Sequence, residues 1–259
     1  MQASVTHRIL HRRVKARPTD SFNYIQSVVN RLRILKSGIT YSEMEKISGI
    51  HSTLLCRYVT GSTRPSLEQS ELLERTLLRV TWFKDRLREK MTVTKTGYLD
   101  AHPVTSDPNA LKWIAGEAVS RFSKTRCDRV LTAASSGISL ATAIAMEMEV
   151  PVVHATQSKT AGFGRYLEAD LHARSPSEVS TLFIPGNQLN KGESVLIVDD
   201  VATSGRTLSG LINLVNNADS DVSGVFVLAS RSDVWKEKIS RLLPTDVKIV
   251  VLYDLKGVG

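Results

Sequence analysis

The stretch VLIVDDVATSGRT, Val195 to Thr207, constrains the fold more than any other. Its opening apolar residues read as a strand buried on both faces. The run then ends in Asp199 and Asp200, which cannot be buried unpaired without a large penalty. Hydroxyls and a glycine follow at once. A strand that delivers two acids to its carboxyl end and then turns through small polar residues into a helix makes a sugar-phosphate site at the edge of a parallel sheet. The N–H groups of Thr203 to Thr207, with the hydroxyls of Thr203, Ser204 and Thr207, are expected to surround a 5′-phosphate, and the helix dipole adds a favourable field. Asp199 and Asp200 are expected to face ribose hydroxyls, directly or through Mg2+ and its waters.

The rest of the chain has two textures. From Ser21 to about Lys90 apolar residues recur at helical spacing, with Ile25, Val28, Val29, Leu32 and Leu35 on one face and Leu72, Leu73, Leu77, Leu78 and Val80 on another. From Val93 onward short β-branched runs take over: Val130–Leu131, Val150–Val153, Val195–Val198, Val225–Leu228 and Val247–Leu252. Helix-length segments between several of them predict a mainly parallel sheet covered on both faces. The expected division is a basic arm at 1–20, an all-α domain at 21–93 and an α/β domain at 94–259, with Thr94–Asn109 as the junction.

Charge follows the same division. Residues 1–90 hold 17 Lys and Arg against 8 Asp and Glu, whereas the remainder holds 17 against 18. The net charge of +8 therefore belongs to the N-terminal third, as attraction to a phosphate backbone requires; a basic helical domain that is only soluble would share this feature. No apolar stretch approaches the roughly 18 residues of a membrane span, and no hydrophobic segment follows the leading arginines, so a cytoplasmic protein without membrane association is expected. Cys56 and Cys127 read as isolated thiols. His51, His102, His154 and His172 have no ligating spacing, so no metal site is assigned.

In GITYSEMEKISGIHSTLLCRYVTGSTRPS, Gly38 to Ser66, Thr40 can cap a short helix whose Met44 and Ile47 face inward. Gly49 permits a sharp turn and Ile50 plugs it. A second helix then runs from His51 or Ser52 to about Val59, anchored by Leu54, Leu55 and Tyr58. Its other face offers Ser52, Thr53, Cys56 and Arg57, short groups that allow close approach to base edges, while Arg57 and Arg64 can reach phosphates. The segment resembles the helix-turn-helix of the phage-repressor-like (XRE) family, with Tyr41 where that family commonly has Gln. The resemblance implies double-stranded DNA as partner and Tyr41, Ser42, Ser52, Thr53, Cys56, Arg57 and Arg64 as contacts. Two packed helices of a dimerisation module would read similarly.

Val195 to Thr207 resembles the type I phosphoribosyltransferase signature for 5-phosphoribosyl diphosphate (PRPP): four apolar residues, two acids, two small or apolar residues and a hydroxyl-glycine turn. The resemblance covers roughly Tyr98 to Asp254. It implies a type I phosphoribosyltransferase fold and a ligand set of Asp199, Asp200, Ala202, Thr203, Ser204, Gly205, Arg206 and Thr207, with Mg2+ bound only together with PRPP. VLTAASSGISLATAIA, Val130 to Ala145, resembles the family's diphosphate loop, which assigns amides of Ser135, Ser136 and Gly137 to that group. Val150 to Pro185 stands in the place of a flap closing over substrate. Xanthine phosphoribosyltransferases and the purine-operon repressor group are the most similar in texture.

Catalytic members near this group have an Arg-Lys pair after the second strand, where this chain has Thr156 and Gln157, and a Glu where Ala134 stands. Lys159, Lys191 and Arg165 are the candidate substitutes. Missing cations at a leaving group weaken turnover more than binding. In plan the chain is similar to archaeal regulators that join a helix-turn-helix to a phosphoribosyltransferase fold. That resemblance implies a homodimer that binds operator DNA and senses PRPP or a nucleotide. An active purine or orotate phosphoribosyltransferase is the alternative, and an RNA-binding protein a third. Trp235 and Tyr253 could stack on a base, but aromatic residues at such spacing more often fill a core, and Trp82 and Phe83 read as residues of a domain or dimer interface.

Overall fold

The computed structural model describes residues 18–78, 81–162, 164–171 and 180–256. Most of the expected arm and part of the expected flap (163 and 172–179) fall outside them, as do Val80, His172 and the Trp82 side chain.

The basic third forms helices α1 (Pro18–Lys36), α2 (Tyr41–Ser48), α3 (Ser52–Thr60), α4 (Leu67–Thr76) and α5 (Thr81–Lys90). Local chemistry sets their ends. Thr40 and Glu43 form a reciprocal capping box at the start of α2, and Ser66 and Gln69 form another at α4. Gly49 and Gly61 stop α2 and α3 in the left-handed region, with φ of 71° and 82°. Gln69 also accepts from the Tyr58 hydroxyl at 2.8 Å, tying α4 to α3. The core face of α1 carries Val28, Leu32 and Leu35, all buried, as expected. Ile47 departs from expectation, being 41% exposed. Over only eight residues, the capping box and the Gly49 turn rotate α2 so that Met44 and Ser48 face inward and Ile47 faces out.

Residues 94–109, expected as a junction, are themselves folded. They close the hairpin of β1 (Thr92–Val93) and β2 (Leu99–Asp100), form α6 (His102–Thr105) and begin α7 (Pro108–Phe122), which Asp107 caps. The five apolar runs lie in β3 (Arg129–Ala133), β4 (Val152–Ala155), β7 (Ser194–Ala202), β8 (Asp221–Ser230) and β9 (Lys248–Asp254), which build one parallel sheet in the order β4-β3-β7-β8-β9. Between them run α8 (Ile138–Met148), the antiparallel pair β5 (Tyr166–Leu171) and β6 (Ser180–Pro185), α9 (Arg206–Asn217) and α10 (Val234–Ser240).

Alternation along β7 explains its unbroken apolar run. Leu196 and Val198 join the core with α7 and α8, while Val195 and Ile197 join the core with α9 and α10. The first core continues without a break into α1, α3 and α4. At that seam Arg31 is fully buried; it pairs with Glu74 of α4 and, at 3.1 Å, with Glu117 of α7, and lies over the Trp113 ring. Gly116 is required there, because a Cβ would come 2.7 Å from Arg31 Nε. Phe83 of α5 packs against Trp113 of α7 with ring centroids 4.8 Å apart and planes tilted by 43°, which places it between the helical third and the α/β body, as expected. Among the described residues no helix is long and apolar enough to cross a membrane.

Candidate functional site

β7 carries Asp199 and Asp200 to the carboxyl edge of the sheet, where they are only 8% and 7% exposed. The chain then turns through Thr203 and Ser204 to Gly205, at φ 71°, where a Cβ would come 2.9 Å from Trp235 Cβ. Trp235 is fully buried, and its Nε1 donates to Ser230 Oγ, which in turn donates to the Ala202 carbonyl. It therefore supports the turn from beneath and offers no face to a ligand. Helix α9 starts at Arg206 without a side-chain cap. The first-turn amides, which have no acceptor within the helix, are thus not taken up by a capping side chain either.

The β3–α8 loop lies opposite. Its Ala134–Ser135 peptide is cis. The Ser136 hydroxyl donates to Asp200 Oδ1 at 3.0 Å, and a Cβ at Gly137 would strike Thr132 Oγ1. Between the two loops lies a cleft of about 550 Å³. Of the residues expected at the ligand, Asp199, Asp200, Thr203, Thr207 and Ser136 line it. Ala202 does not, because it is buried in the core with α9. Ser135, Gly137, Ser204, Gly205 and Arg206 shape the surrounding loops without lining the cavity; the Nε of Arg206 is buried and makes no hydrogen bond among the described residues.

The hairpin turn Thr96, Gly97 and Tyr98 forms a further wall, which the sequence reading missed; Leu171 and Leu182 of the β5–β6 pair form another. Gln157 lines the cleft, and no Lys, Arg or His does so among the described residues. The candidate substitutes are elsewhere. Lys159 pairs with Glu168 and sits over the Phe183 ring, Lys191 pairs with Asp219 ahead of β7, and Arg165 lies beside Gly186.

The cleft is consequently acidic. Burial, and then the charge of Asp200, pushes the Asp199 carboxyl well above the usual range. The Tyr98 phenol is also pushed up, by burial and then by Asp200, Asp100 and Asp199. Among the described residues no cluster of three or more His, Cys, Asp or Glu could hold a metal. Two carboxylates alone suit a cation that arrives with a phosphorylated ligand and shares its oxygens.

On the N-terminal helices, Thr53 and Arg57 are exposed on α3 and Ser52 and Cys56 are half-buried beside them. The Ser52 N–H donates to Glu45 of α2 at 2.9 Å, fixing the two helices together. Tyr41 is half-buried, close to Cys56 and covered by Lys36, which brings it to the same face. Ser42 is exposed at the start of α2. Arg64 lies beyond α3, its guanidinium over the Phe22 ring.

Residues 104–255 match the family model described as a phosphoribosyl transferase domain. The chain belongs to this family. Phosphoribosyl transferase domain proteins similar to it include the xanthine phosphoribosyltransferase of an Exiguobacterium species, 34% identical over 127 residues that are 49% of this chain and 66% of that protein. The purine biosynthesis transcriptional repressor PurR of Bacillus subtilis is 29% identical over 72% of this chain and 65% of its own length. The chain thus spans just under two thirds of these relatives. Among solved structures, adenine phosphoribosyltransferases from Thermoanaerobacter pseudethanolicus and Rhodothermus marinus superpose with a TM-score of 0.58. They cover 66% of this chain and 98% and 97% of their own, at 16% and 20% identity, a likeness of fold alone. The fold is that of the type I phosphoribosyltransferases.

Proposed function

We propose that this chain is a transcriptional regulator whose N-terminal helix-turn-helix binds operator DNA and whose phosphoribosyltransferase-fold domain senses PRPP or a nucleotide. The observation that carries this reading is the cleft itself. Its lining includes the acid pair with Thr203 and Thr207, groups suited to a ribose 5-phosphate, and among the described residues no Lys, Arg or His lines it to meet a departing diphosphate. Ground-state binding survives that loss better than turnover does. Similarity to a PurR repressor, to a probable PurR regulator and to a PurR activator of purine biosynthesis supports a role in purine-operon control.

In this reading the α9 amides and Thr207 hold the phosphate, and Asp199 and Asp200 hold the ribose hydroxyls. Asp199 and Asp200 would hold a Mg2+ brought in with PRPP, which would offset their charge. Ser52, Thr53, Cys56 and Arg57 meet the major groove, with Tyr41 and Ser42 beside them, while Arg64 contacts phosphate. A homodimer presents two such faces to a pseudo-palindromic site. An effector acts only if it binds the two arrangements of the dimer unequally, typically by about 1–3 kcal/mol. A physical connection is available, since the Ser136 loop leads into α8, whose Glu147 accepts from Asn30 of α1 at 3.1 Å. Three residues on, Arg33 donates to the Val59 carbonyl of α3 at 2.9 Å.

The second reading, an active phosphoribosyltransferase, is favoured by similarity to the xanthine enzymes. A paired assay on purified protein separates the two: affinity for DNA from its own promoter across a salt series, and diphosphate release from PRPP with each common base. Steep salt dependence without turnover is expected. Turnover without sequence preference for DNA overturns the regulator reading.

A further inference from the structure

A second cavity, of about 440 Å³, opens where α5, the β1–β2 hairpin and the chain beyond β9 meet. It shares no lining residue with the cleft at Asp199 and Asp200. Its apolar lining is Met91, Val93, Leu99 and Leu255, of which all but Val93 are buried. Backbone bonds hold this lining in place: Val93 and Leu99 are partners across the hairpin, and the Leu255 N–H donates to the Ser230 carbonyl at 2.7 Å. The remaining wall is charged. Asp85, Arg88 and Glu89 line the cavity from exposed positions three and four residues apart, on one face of α5. Among the described residues none of the three makes an ion pair, and the neighbouring cations Lys84 and Lys90 are engaged by Glu117 and Asp107. The two acids weaken the helix that carries them. Asp85 and Glu89 repel each other across one turn, and Glu89 stands in the last turn, at the negative end of the helix dipole.

We propose that this cavity binds an α-amino acid with an apolar side chain. Such a ligand carries its ammonium and carboxylate on one carbon, so its opposite charges lie close together, as Arg88 and the flanking acids do along α5. Its side chain then takes the apolar lining, and the cavity lies within the range of roughly 300–1,000 Å³ that small-molecule sites occupy. Other classes fit this wall less well. A simple amine leaves Arg88 unanswered, a fatty acid is repelled by Asp85 and Glu89, and a polyamine meets Arg88 between the two acids. Sugars and nucleobases find no partner for their polar edges on Met91, Val93, Leu99 and Leu255. The proposal does not depend on what the cleft at Asp199 and Asp200 binds.

Calorimetry on the full chain tests this with leucine, isoamylamine, which lacks the carboxylate, isocaproate, which lacks the ammonium, and glycine, which lacks the side chain. Leucine is expected to bind about tenfold or more tighter than each of the others, the worth of one charge-assisted hydrogen bond or one buried side chain. Arg88→Gln is expected to bring leucine down to the level of the amine, and Asp85→Asn combined with Glu89→Gln down to the level of the acid. The three positions are exposed, so both variants are expected to melt as the parent does, and the ligand series on the unaltered chain stands by itself if one folds poorly. Leucine that fails to bind at millimolar concentration, equal affinity for leucine and isoamylamine, or leucine affinity unchanged in both variants overturns the site. If leucine does not bind and the doubly substituted chain changes its oligomeric state in light scattering, the cavity is a contact between copies of the chain, which also overturns it.

Discussion

The Ser136 hydroxyl reaches across the cleft to the Asp200 carboxylate at 3.0 Å, so this hydrogen bond joins the loop after β3 to the strand end of β7. Removing the hydroxyl frees Asp200 for ribose or a cation and disconnects α8 from the acid pair. Ser136→Ala is expected to retain ribose 5-phosphate affinity within about threefold, the worth of one modest hydrogen bond, while reducing the effect of ligand on operator affinity. Calorimetry and an operator titration on the same variant check the two halves separately.

Asp199 is a carboxyl held against its preference. Burial and the neighbouring Asp200 raise its pKa, so the folded state favours its protonated form more than the unfolded chain does. Its contribution is fully present below the ordinary value of 3.8 and is lost as pH rises toward the raised one. Asp199→Asn is expected to raise Tm at neutral pH and to flatten stability over that window. The same change is expected to weaken ribose 5-phosphate binding by about tenfold or more through loss of a charged acceptor. Thermal melts across pH, alongside calorimetry, read both effects.

Glu193 behaves in the opposite sense. Burial works against its charge, but hydrogen bonds from Arg129 and Asn190 overcome this and bring its pKa down to about 2. The stability it contributes is present above its ordinary value of 4.5 and is lost as pH falls toward about 2. Arg129→Met is expected to shrink that acid-dependent loss and to lower stability by about 1–3 kcal/mol at neutral pH, measured by denaturant unfolding at several pH values.

Much of this architecture was legible in the sequence, and the reasons differ by element. The apolar runs in β3, β4, β7, β8 and β9 were readable because a parallel sheet covered on both faces removes polar residues from both sides of each strand. The acid pair and its turn were readable because their chemistry is contiguous, from Asp199 to Thr207. Tyr98 was not, because it enters the cleft only after a hairpin some hundred residues upstream folds against the end of β8, a contact between Arg231 and Gly97 with no local signature. Ile47 was misread because one residue of rotation decides which side of a two-turn helix is buried. Ala202 belongs to the signature by position, yet its side chain faces the core.

Arg31 holds the helical third onto the α/β body. It is buried between Glu74 and Glu117, and Glu117 also meets Lys84 and Arg121. Arg31→Met leaves two acids short of their shared cation, which typically costs about 3–5 kcal/mol and lowers Tm by roughly 10 °C. Adding Glu117→Gln is expected to recover part of the loss. Scanning calorimetry of the single and double variants measures the coupling.

The proposed DNA face makes a separate prediction. Arg57 and Arg64 are exposed on or just beyond α3, so Ala at either is expected to weaken operator binding across sequences and to reduce the slope of log affinity against log salt by about one. Unchanged slopes in both variants move the interface elsewhere.

The proposed coupling between cleft and helices is tested most directly by the affinity of the full chain for its own promoter DNA, with and without saturating inosine 5′-monophosphate, after calorimetry has shown the nucleotide bound. A change of about fivefold or more in either direction is expected. Identical affinities with the cleft occupied contradict it.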